Sequence, residues 1–210
     1  MVCNHKFYGN EELIGLLPNW KCKTLIIGTF NPENKFHSTN TANFFYQRSR
    51  NYFWDVLPLL SNIQSIEKTN KSNQIEYLKK FEIGITDLLI SIQDADENNN
   101  DHIKSISTVK DEDIERFNDF NWNTNPILQF LKEQKIKAVF FTKLGNPNAI
   151  HVYENTFENQ MRKIEDFCET NDIYCRRLHS PTGMGLGPGK RIETLRERWI
   201  QNGANQEYFK

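Results

Sequence analysis

The sequence predicts an α/β fold: a three-layer αβα sandwich around a central four-stranded parallel sheet. Four short runs rich in β-branched and aromatic residues have the length of buried strands, at about 23–29, 85–90, 138–142 and 173–178. Stretches with apolar residues at helical spacing separate these runs. Strands that alternate with helices form βαβ units, which build a parallel sheet with helices on both faces.

Helices are predicted from apolar spacing and from residues that favour helix starts. Asn10 suits an N-cap, and Pro126 suits the first turn of a later helix. The acidic, Asn-rich stretch 93–102 is predicted to be an exposed loop. With neither a repeat nor a linker, the chain is predicted to form one domain over 1–210. The predicted helices cover about 10–17, 50–60, 73–81 and 111–120, a stretch from 125, about 156–169 and a stretch after 189.

Charge is nearly balanced, since the 210 residues hold 26 Lys and Arg against 27 Asp and Glu. That balance argues against a surface that is basic throughout, although basic residues near the predicted strand ends allow a local DNA-binding face. No apolar run reaches the length of a membrane span, and 1–6 has no signal-peptide pattern. We therefore expect a cytoplasmic protein, or a nuclear one in a eukaryote, that acts as a monomer away from membranes.

The four cysteines, at positions 3, 22, 168 and 175, form no Cys-x-x-Cys pair. We expect free, partly buried thiols in a reducing compartment. The alternative is an iron–sulfur cluster, which requires all four thiols to converge in space. Apart from that alternative, the sequence predicts no metal and no cofactor.

Residue types suited to handling a nucleobase are concentrated in the stretch 44–54. Its aromatic rings can stack on bases, and Arg48 and Arg50 can contact phosphate. Its amide, Asn51, can orient a water or contact a base edge. This combination after a strand end predicts a base-handling pocket.

Unusual stretches follow all four predicted strands. Because ligands bind beyond the carboxyl ends of parallel strands, we expect these stretches to converge on one cleft. They are 28–32, Asp87, 142–146 and 179–190.

Five motifs occur in an order that is typical of one family. They read Gly-Thr-Phe-Asn-Pro at 28–32, Phe-Tyr-Gln-Arg-Ser-Arg-Asn-Tyr-Phe-Trp at 45–54, Gly-Ile-Thr-Asp at 84–87, Phe-Phe-Thr-Lys-Leu-Gly at 140–145 and Leu-His-Ser-Pro at 178–181. With these motifs in this order, the chain resembles the uracil-DNA glycosylase superfamily over about 22–200. It is most similar to the mismatch-specific uracil-DNA glycosylase and hypoxanthine-DNA glycosylase branches. The resemblance implies the three-layer fold and a monofunctional, metal-free DNA glycosylase.

An enzyme of this kind flips a nucleotide with a deaminated base, here uracil and/or hypoxanthine, out of the DNA duplex. It then hydrolyses the N-glycosidic bond that joins this base to the sugar. Flipping costs a few kcal/mol of stacking, part of which aromatic side chains restore. The leaving base becomes negative, so donors aimed at it lower the barrier. The resemblance to the hypoxanthine branch implies Asn51 as the catalytic residue, whereas Asn31 belongs to the first motif, and both stay open. His179 would donate a hydrogen bond to the base anion.

The remaining predicted site residues fall into three groups. Base-pocket residues are expected at Gly28, Thr29, Phe30, Phe45, Tyr46, Asp87 and Ser180. Phosphate contacts are expected from Arg48, Arg50, Lys190 and Arg191. A wedge into the minor groove is expected from Met184 or Leu186.

Two other functions stay open. A nucleotide-binding protein is one, because the loop 183–189 is rich in glycine and precedes a predicted helix, although Met184 and Arg191 depart from the phosphate-loop pattern. A relative that binds nucleic acid without cutting it is the other. This second alternative stays open because Phe30 occupies the position where the mismatch-specific branch has its motif asparagine.

Overall fold

The computed structural model describes residues 1–145, 155–182, 186 and 189–210. The strands are β1 (Cys3–Asn4), β2 (Leu13–Ile14), β3 (Leu17–Pro18), β4 (Thr24–Gly28), β5 (Ile83–Asp87), β6 (Leu89–Ile92), β7 (Phe120–Trp122), β8 (Ala138–Phe141) and β9 (Tyr174–Arg177). The helices are α1 (Phe53–Leu60), α2 (Lys71–Lys80), α3 (Asn100–Ser107), α4 (Asp111–Ile114), α5 (Thr124–Glu133), α6 (Phe157–Thr170) and α7 (Arg191–Gln201), with a 3₁₀ turn at Gln206–Tyr208.

The central sheet has four parallel strands in the order β5–β4–β8–β9. Its strands are short and β-branched or aromatic, and β4, β5 and β8 are buried along their whole length. The chain leaves β4 toward β5 on one side and later returns to β8 on the other. The predicted four-stranded parallel sheet is therefore confirmed, with its topological switch point between β4 and β8.

Alternating side chains of the central strands pack into two separate cores. Ile26 and Phe140 face the core under α1, α2 and α7. Leu25, Ile27 and Val139 face the core under α5 and α6. Successive strand residues point to opposite faces, so helices cover both sides, and the three-layer prediction is confirmed.

A second, antiparallel sheet has the order β1–β6–β7 and was not predicted. The apolar run predicted as one strand over 85–90 divides at Leu88, where β5 ends in the parallel sheet and β6 turns away to pair with β1. A continuous apolar run does not show that the chain changes sheets within it. The consequence for the site is that β6 holds the N-terminal segment against the carboxyl ends of the central strands: the His5 amide donates to the Ile90 carbonyl at 2.7 Å.

Three local predictions were wrong. The stretch 10–17 is not a helix but contains the hairpin β2–β3, because Gly15 adopts a φ of +65° in the two-residue turn. The predicted loop 93–102 contains the start of α3, whose cap is the Asn99 side chain. The helix predicted over 111–120 ends at Ile114. No helix in the described ranges is long and apolar enough to cross a membrane.

Candidate functional site

Asp87, the last residue of β5, is the centre of a polar cluster at the carboxyl edge of the sheet. Its side chain is 2% exposed, and its Oδ2 accepts hydrogen bonds from His5 Nε2 at 2.8 Å and Asn31 Nδ2 at 3.2 Å. A buried carboxylate is tolerated where donors satisfy its oxygens. Two donors on one oxygen hold the group in a fixed orientation.

His5 is a site residue that the sequence analysis missed. Its Nδ1 accepts a hydrogen bond from the Phe7 amide at 3.1 Å, so the ring proton of the neutral form lies on Nε2 and points at Asp87. The ring lies 5.7 Å from both Phe30 and Phe45 and is held by these aromatic neighbours. A lone histidine near the start of the chain gives no signal of this role, because the pairing of β1 with β6 brings it to the site.

Asn31 joins the carboxylate to a guanidinium. Its Nδ2 donates to Asp87, its Oδ1 accepts from Arg48 Nη2 at 3.1 Å, and its carbonyl accepts from the Lys6 amide at 2.8 Å. The amide orientation is therefore fixed by a donor on one side and an acceptor on the other. Burial lowers the pKa of Arg48, and the nearby charge of Asp87 acts in the opposite direction.

Gly28 forms the floor of the cluster because it has no side chain. A Cβ at this position would lie 2.2 Å from Asp87 Oδ1 and 2.6 Å from the Tyr46 hydroxyl. Tyr46 Oη is 3.0 Å from Thr142 Oγ1, so the two hydroxyls share a hydrogen bond over this floor. Backbone at the end of β4 can thus approach the carboxylate and the phenol, which any other residue would prevent.

Tyr46 is held in a demanding conformation. Its φ is +59°, and its ring stacks on Phe53 at a centroid distance of 4.0 Å. Burial, and then the charge of Asp87, raises the pKa of its phenol well above the ordinary value. The phenol therefore stays neutral and can donate a hydrogen bond at physiological pH. A left-handed conformation is uncommon for tyrosine and costs backbone strain, which the stacking on Phe53 and the hydrogen bond with Thr142 offset here.

The structure brings together Gly28, Asn31, Tyr46, Arg48 and Asp87 from the predicted set. Their grouping follows from the parallel sheet, since they lie at or after the ends of β4 and β5. Thr142 was noted only as a strand end, and it joins them after β8.

Asn51 has a structural contact of its own. It is 7% exposed, and its Oδ1 accepts from the Phe53 amide at 2.9 Å, ahead of the first turn of α1. The helix begins at Phe53 rather than near 50. Within the described residues, Asn51 Nδ2 donates to no acceptor, so the contact of Oδ1 with the Phe53 amide leaves that donor available to a ligand.

His179 and Ser180 follow β9 at the far side of the sheet. His179 is half-buried, and its carbonyl accepts from Trp199 Nε1 at 2.8 Å. Burial and the charge of Arg198 lower the pKa of His179, so its imidazole is neutral at pH 7. Ser180 is exposed and shares a hydrogen bond with Thr182 at 3.1 Å. The Pro181 carbonyl accepts from the Tyr52 amide at 2.8 Å, which ties this loop to the start of α1.

Three predicted base-pocket residues occupy structural positions. Phe45 is fully buried among Phe7 and Phe44, and its carbonyl accepts from Trp54 Nε1, so it supports the site from beneath and does not line it. Phe30 is 7% exposed and packs against His5. Thr29 is half-buried, and its carbonyl accepts from Leu89 at the start of β6.

The predicted DNA contacts lie on two surfaces. Arg48 is half-buried in the cluster, whereas Arg50, Lys190 and Arg191 are exposed. Arg191 donates to the Tyr52 hydroxyl at 3.0 Å beside a surface cavity at the start of α7. Lys68 lies 5.6 Å over the same tyrosine ring and pairs with Asp55 at 3.7 Å, and Glu193 also lines the cavity, so this surface carries charges of both signs.

The two predicted wedge residues have different outcomes. Leu186 is 8% exposed and packs in the core under α7, which is at odds with a wedge that projects from the surface. To enter DNA it would first have to leave that core. Met184 lies outside the described residues, as does most of the glycine loop on which the nucleotide-binding alternative depends.

The cysteines do not form the predicted alternative cluster. All four are described and are free thiols, and in the described ranges no three His, Cys, Asp or Glu side chains are arranged to hold a metal. Burial raises the pKa of Cys22 to about 12, which keeps it a thiol at neutral pH.

Comparisons with known proteins identify no family for the chain. No family model matches it. No curated protein matches it. Among solved structures, it is similar to a solution NMR structure of a Methanosarcina acetivorans protein that is provisionally assigned as a uracil DNA glycosylase. That likeness has a TM-score of 0.46 and 15% sequence identity, and it covers 87% of this chain and 92% of the other. A likeness this distant assigns no activity.

Proposed function

We propose that the protein is a DNA glycosylase that hydrolyses the N-glycosidic bond of an extruded deaminated base, uracil and/or hypoxanthine. The observation that carries the proposal is the buried Asp87 carboxylate at the sheet edge, oriented by His5 and Asn31 against the bare backbone of Gly28. The order of the sequence motifs supports it. We further propose that the enzyme acts on DNA as a monomer, without metal or cofactor, in the cytoplasm or nucleus.

The chemistry of the reaction suits a fixed carboxylate. When the C1′–N bond breaks, its electron pair leaves with the base and the sugar becomes cationic. A carboxylate held beside the sugar stabilises that cation and accepts a hydrogen bond from the water that attacks C1′. Asp87 Oδ2 is occupied by two donors, so Oδ1, which lies over Gly28, is the oxygen that faces substrate.

Access to this oxygen requires a side chain to move. The hydroxyls of Tyr46 and Thr142 lie over the floor of the cluster, so an extruded base enters when the Tyr46 ring rotates aside. The same ring then offers a flat face for stacking. In this proposal, Asn51 Nδ2 and His179 remain candidate donors to the leaving base, and the exposed Arg50, Lys190 and Arg191 contact phosphates.

The test is a base-excision assay on duplexes that contain uracil, hypoxanthine or xanthine opposite each normal base, followed by alkaline cleavage of abasic sites. We expect cleavage of at least one duplex. The Asp87→Asn variant keeps the size of the side chain but removes its charge, and we expect excision to fall by about 100-fold or more. Circular dichroism checks that the variant is folded.

The same experiment separates the alternatives. Binding of duplex without cleavage of any substrate would favour a nucleic-acid-binding protein without chemistry. Absence of both binding and cleavage would contradict the proposal and return attention to a nucleotide ligand. Equal excision by wild type and Asp87→Asn would remove Asp87 from the reaction while leaving the enzyme class intact.

A further inference from the structure

Three positively charged or protonatable side chains converge beside Asn31. Lys6 and Arg48 are both half-buried, and His37 lies in the turn that contacts Lys6, because its carbonyl accepts from the Asn40 amide at 3.0 Å and the Asn40 carbonyl accepts from Lys6 Nζ. Burial, and then the charges of Arg48 and Lys6, lower the pKa of His37. Burial, and then the charge of Arg48, lower the pKa of Lys6. The three groups come from separate parts of the chain, the segment after β1 and the loop that joins β4 to α1, so the fold has assembled them.

These side chains lack an acidic counterpart. Among the described residues, no carboxylate lies within ion-pair distance of Lys6 Nζ or of the Arg48 guanidinium. Asp87 attracts Arg48 at longer range, but its Oδ2 already accepts from His5 and Asn31. Converging cations without a counter-ion cost stability, and a bound anion removes that cost.

Two buried donors on this group of residues have no partner among the described residues. Arg48 Nε is buried without a hydrogen-bond partner within the described ranges. Asn40 is 3% exposed and its Nδ2 is also without a described partner, while its carbonyl accepts from Lys6 Nζ at 2.5 Å. Buried polar groups are nearly always paired, so orphaned donors beside cations indicate a missing acceptor.

We propose that Lys6, His37, Arg48 and Asn40 form a binding site for a phosphate group. An ammonium, a guanidinium and amide or imidazole N–H groups match the several acceptor oxygens and the negative charge of phosphate. The assignment of the phosphate to the DNA backbone, next to the extruded nucleotide, rests on the proposed function. The other source of the same chemistry is free phosphate or the terminal phosphate of a nucleotide.

The first experiment titrates inorganic phosphate at constant ionic strength and follows the His37 ring C–H signal by NMR, assigned with His37→Gln. We expect a saturable shift that Lys6→Gln weakens by roughly tenfold or more, as expected for loss of a charge-assisted hydrogen bond. Lys6→Arg should retain binding. Lys104→Gln, at an exposed lysine of α3, is the matched control and should titrate like wild type.

The second experiment measures duplex affinity over a series of salt concentrations. If the phosphate belongs to DNA, Lys6→Gln lowers the slope of log affinity against log salt by about 1, and Lys104→Gln leaves it unchanged. A single methylphosphonate near the target base should weaken binding by wild type and have no effect on Lys6→Gln.

The outcomes separate this site from the glycosylase proposal. A saturable phosphate shift with an unchanged salt slope supports the site but overturns its assignment to the DNA backbone. Absence of both effects overturns the site, and base excision by the same wild-type protein would still support the glycosylase. A phosphate shift without excision of any base would contradict the glycosylase proposal alone.

Discussion

At the scale of single residues, Gly28 is a position in the cluster that leaves no room for a side chain. In Gly28→Ala the new Cβ would lie 2.2 Å from Asp87 Oδ1 and 2.6 Å from the Tyr46 hydroxyl, distances that force both groups to move. Displacement by about 1 Å in a catalytic site costs on the order of 100-fold. We therefore expect single-turnover excision to fall by about 100-fold.

The control for Gly28→Ala is Gly9→Ala. Gly9 has a φ of +71° and no atom within 4 Å of an added Cβ, so alanine there adds backbone strain of about 1 kcal/mol without touching the site. We expect lower thermal stability with normal excision. Normal excision by Gly28→Ala would show that the contact over Gly28 has no part in the reaction.

His37 gives the molecule a pH dependence with a definite sign. Its pKa in the folded protein is lower than its ordinary value of 6.5, because burial and the charges of Arg48 and Lys6 disfavour the imidazolium. The unfolded chain therefore binds more protons just below pH 6.5, so stability falls as the pH drops through that window. In His37→Gln we expect a smaller fall between about pH 7.5 and about pH 5.5.

Urea unfolding midpoints at the two pH values measure this effect. His179, whose pKa is also lowered, contributes to both proteins and does not obscure the difference. Parallel falls in wild type and His37→Gln would contradict the assigned electrostatic environment of His37.

The limits of sequence reasoning at this scale are clear from two residues. Asp87 was predicted as a site residue because it ends a strand of a parallel sheet, where ligands bind. His5 was not predicted, because its position depends on β1 pairing with β6, and two-residue strands leave no periodic pattern to recognise. The sequence therefore predicted the cluster residues that follow the central strands. It did not predict His5, which the second sheet brings to the cluster.

At the scale of elements, Asn51 lies just before α1, where its structural contact and its proposed catalytic role can be tested separately. Its Oδ1 accepts from the Phe53 amide at 2.9 Å, and loss of such a side-chain-to-backbone hydrogen bond costs about 1 kcal/mol. Asn51→Asp keeps the acceptor and removes the amide donor. If the donor acts on the leaving base, Asn51→Asp keeps the stability of wild type but loses about 100-fold in excision, whereas Asn51→Ala loses both.

Chemical denaturation and single-turnover excision on the same samples decide between these roles for Asn51. We expect the catalytic role, because the sequence resemblance implies it and the donor has no described partner. Wild-type excision by Asn51→Asp would leave Asn51 with its structural contact to the Phe53 amide alone and make Asn31 the remaining candidate asparagine.

Elements were predicted well where the pattern was long and local. The four central strands and α6 follow from apolar runs and helical spacing. The hairpin β2–β3 was mistaken for a helix because Asn10, Glu11 and Glu12 look like a helix cap and an acidic first turn, whereas the left-handed Gly15 forms the hairpin turn. The strands β6 and β7 depend on partners far away in the chain, which local patterns do not reveal.

At the scale of the whole molecule, the two ends of the central strands have different roles. The carboxyl edge carries the Asp87 cluster. The opposite edge is closed by the last residues: Thr24 Oγ1 donates to the Tyr208 carbonyl at 2.6 Å, and Ser61 Oγ donates to the Phe209 carbonyl at 2.5 Å. We therefore expect that stability and the proposed activity can be changed separately.

Phe209 is the residue that tests this separation. It is fully buried and stacks on Phe140 at a centroid distance of 5.1 Å. Truncation of a buried phenylalanine leaves a cavity that costs about 3–5 kcal/mol, a large share of the stability of a typical domain. We expect Phe209→Ala to unfold at a much lower urea concentration. At a temperature where the variant is folded, we expect an excision rate within about twofold of wild type, because the last residues pack at the amino end of the central strands and Asp87 lies at the carboxyl end.

Tyr8→Ala is the matched control for Phe209→Ala, since Tyr8 is an aromatic residue with 54% of its surface exposed and its truncation should change stability by less than about 0.5 kcal/mol. Urea midpoints and single-turnover rates of the three proteins provide the comparison. A folded Phe209→Ala protein that excises far more slowly than wild type would show that the two edges are coupled through the central strands, as rigid packing of Phe140 against β4 would allow.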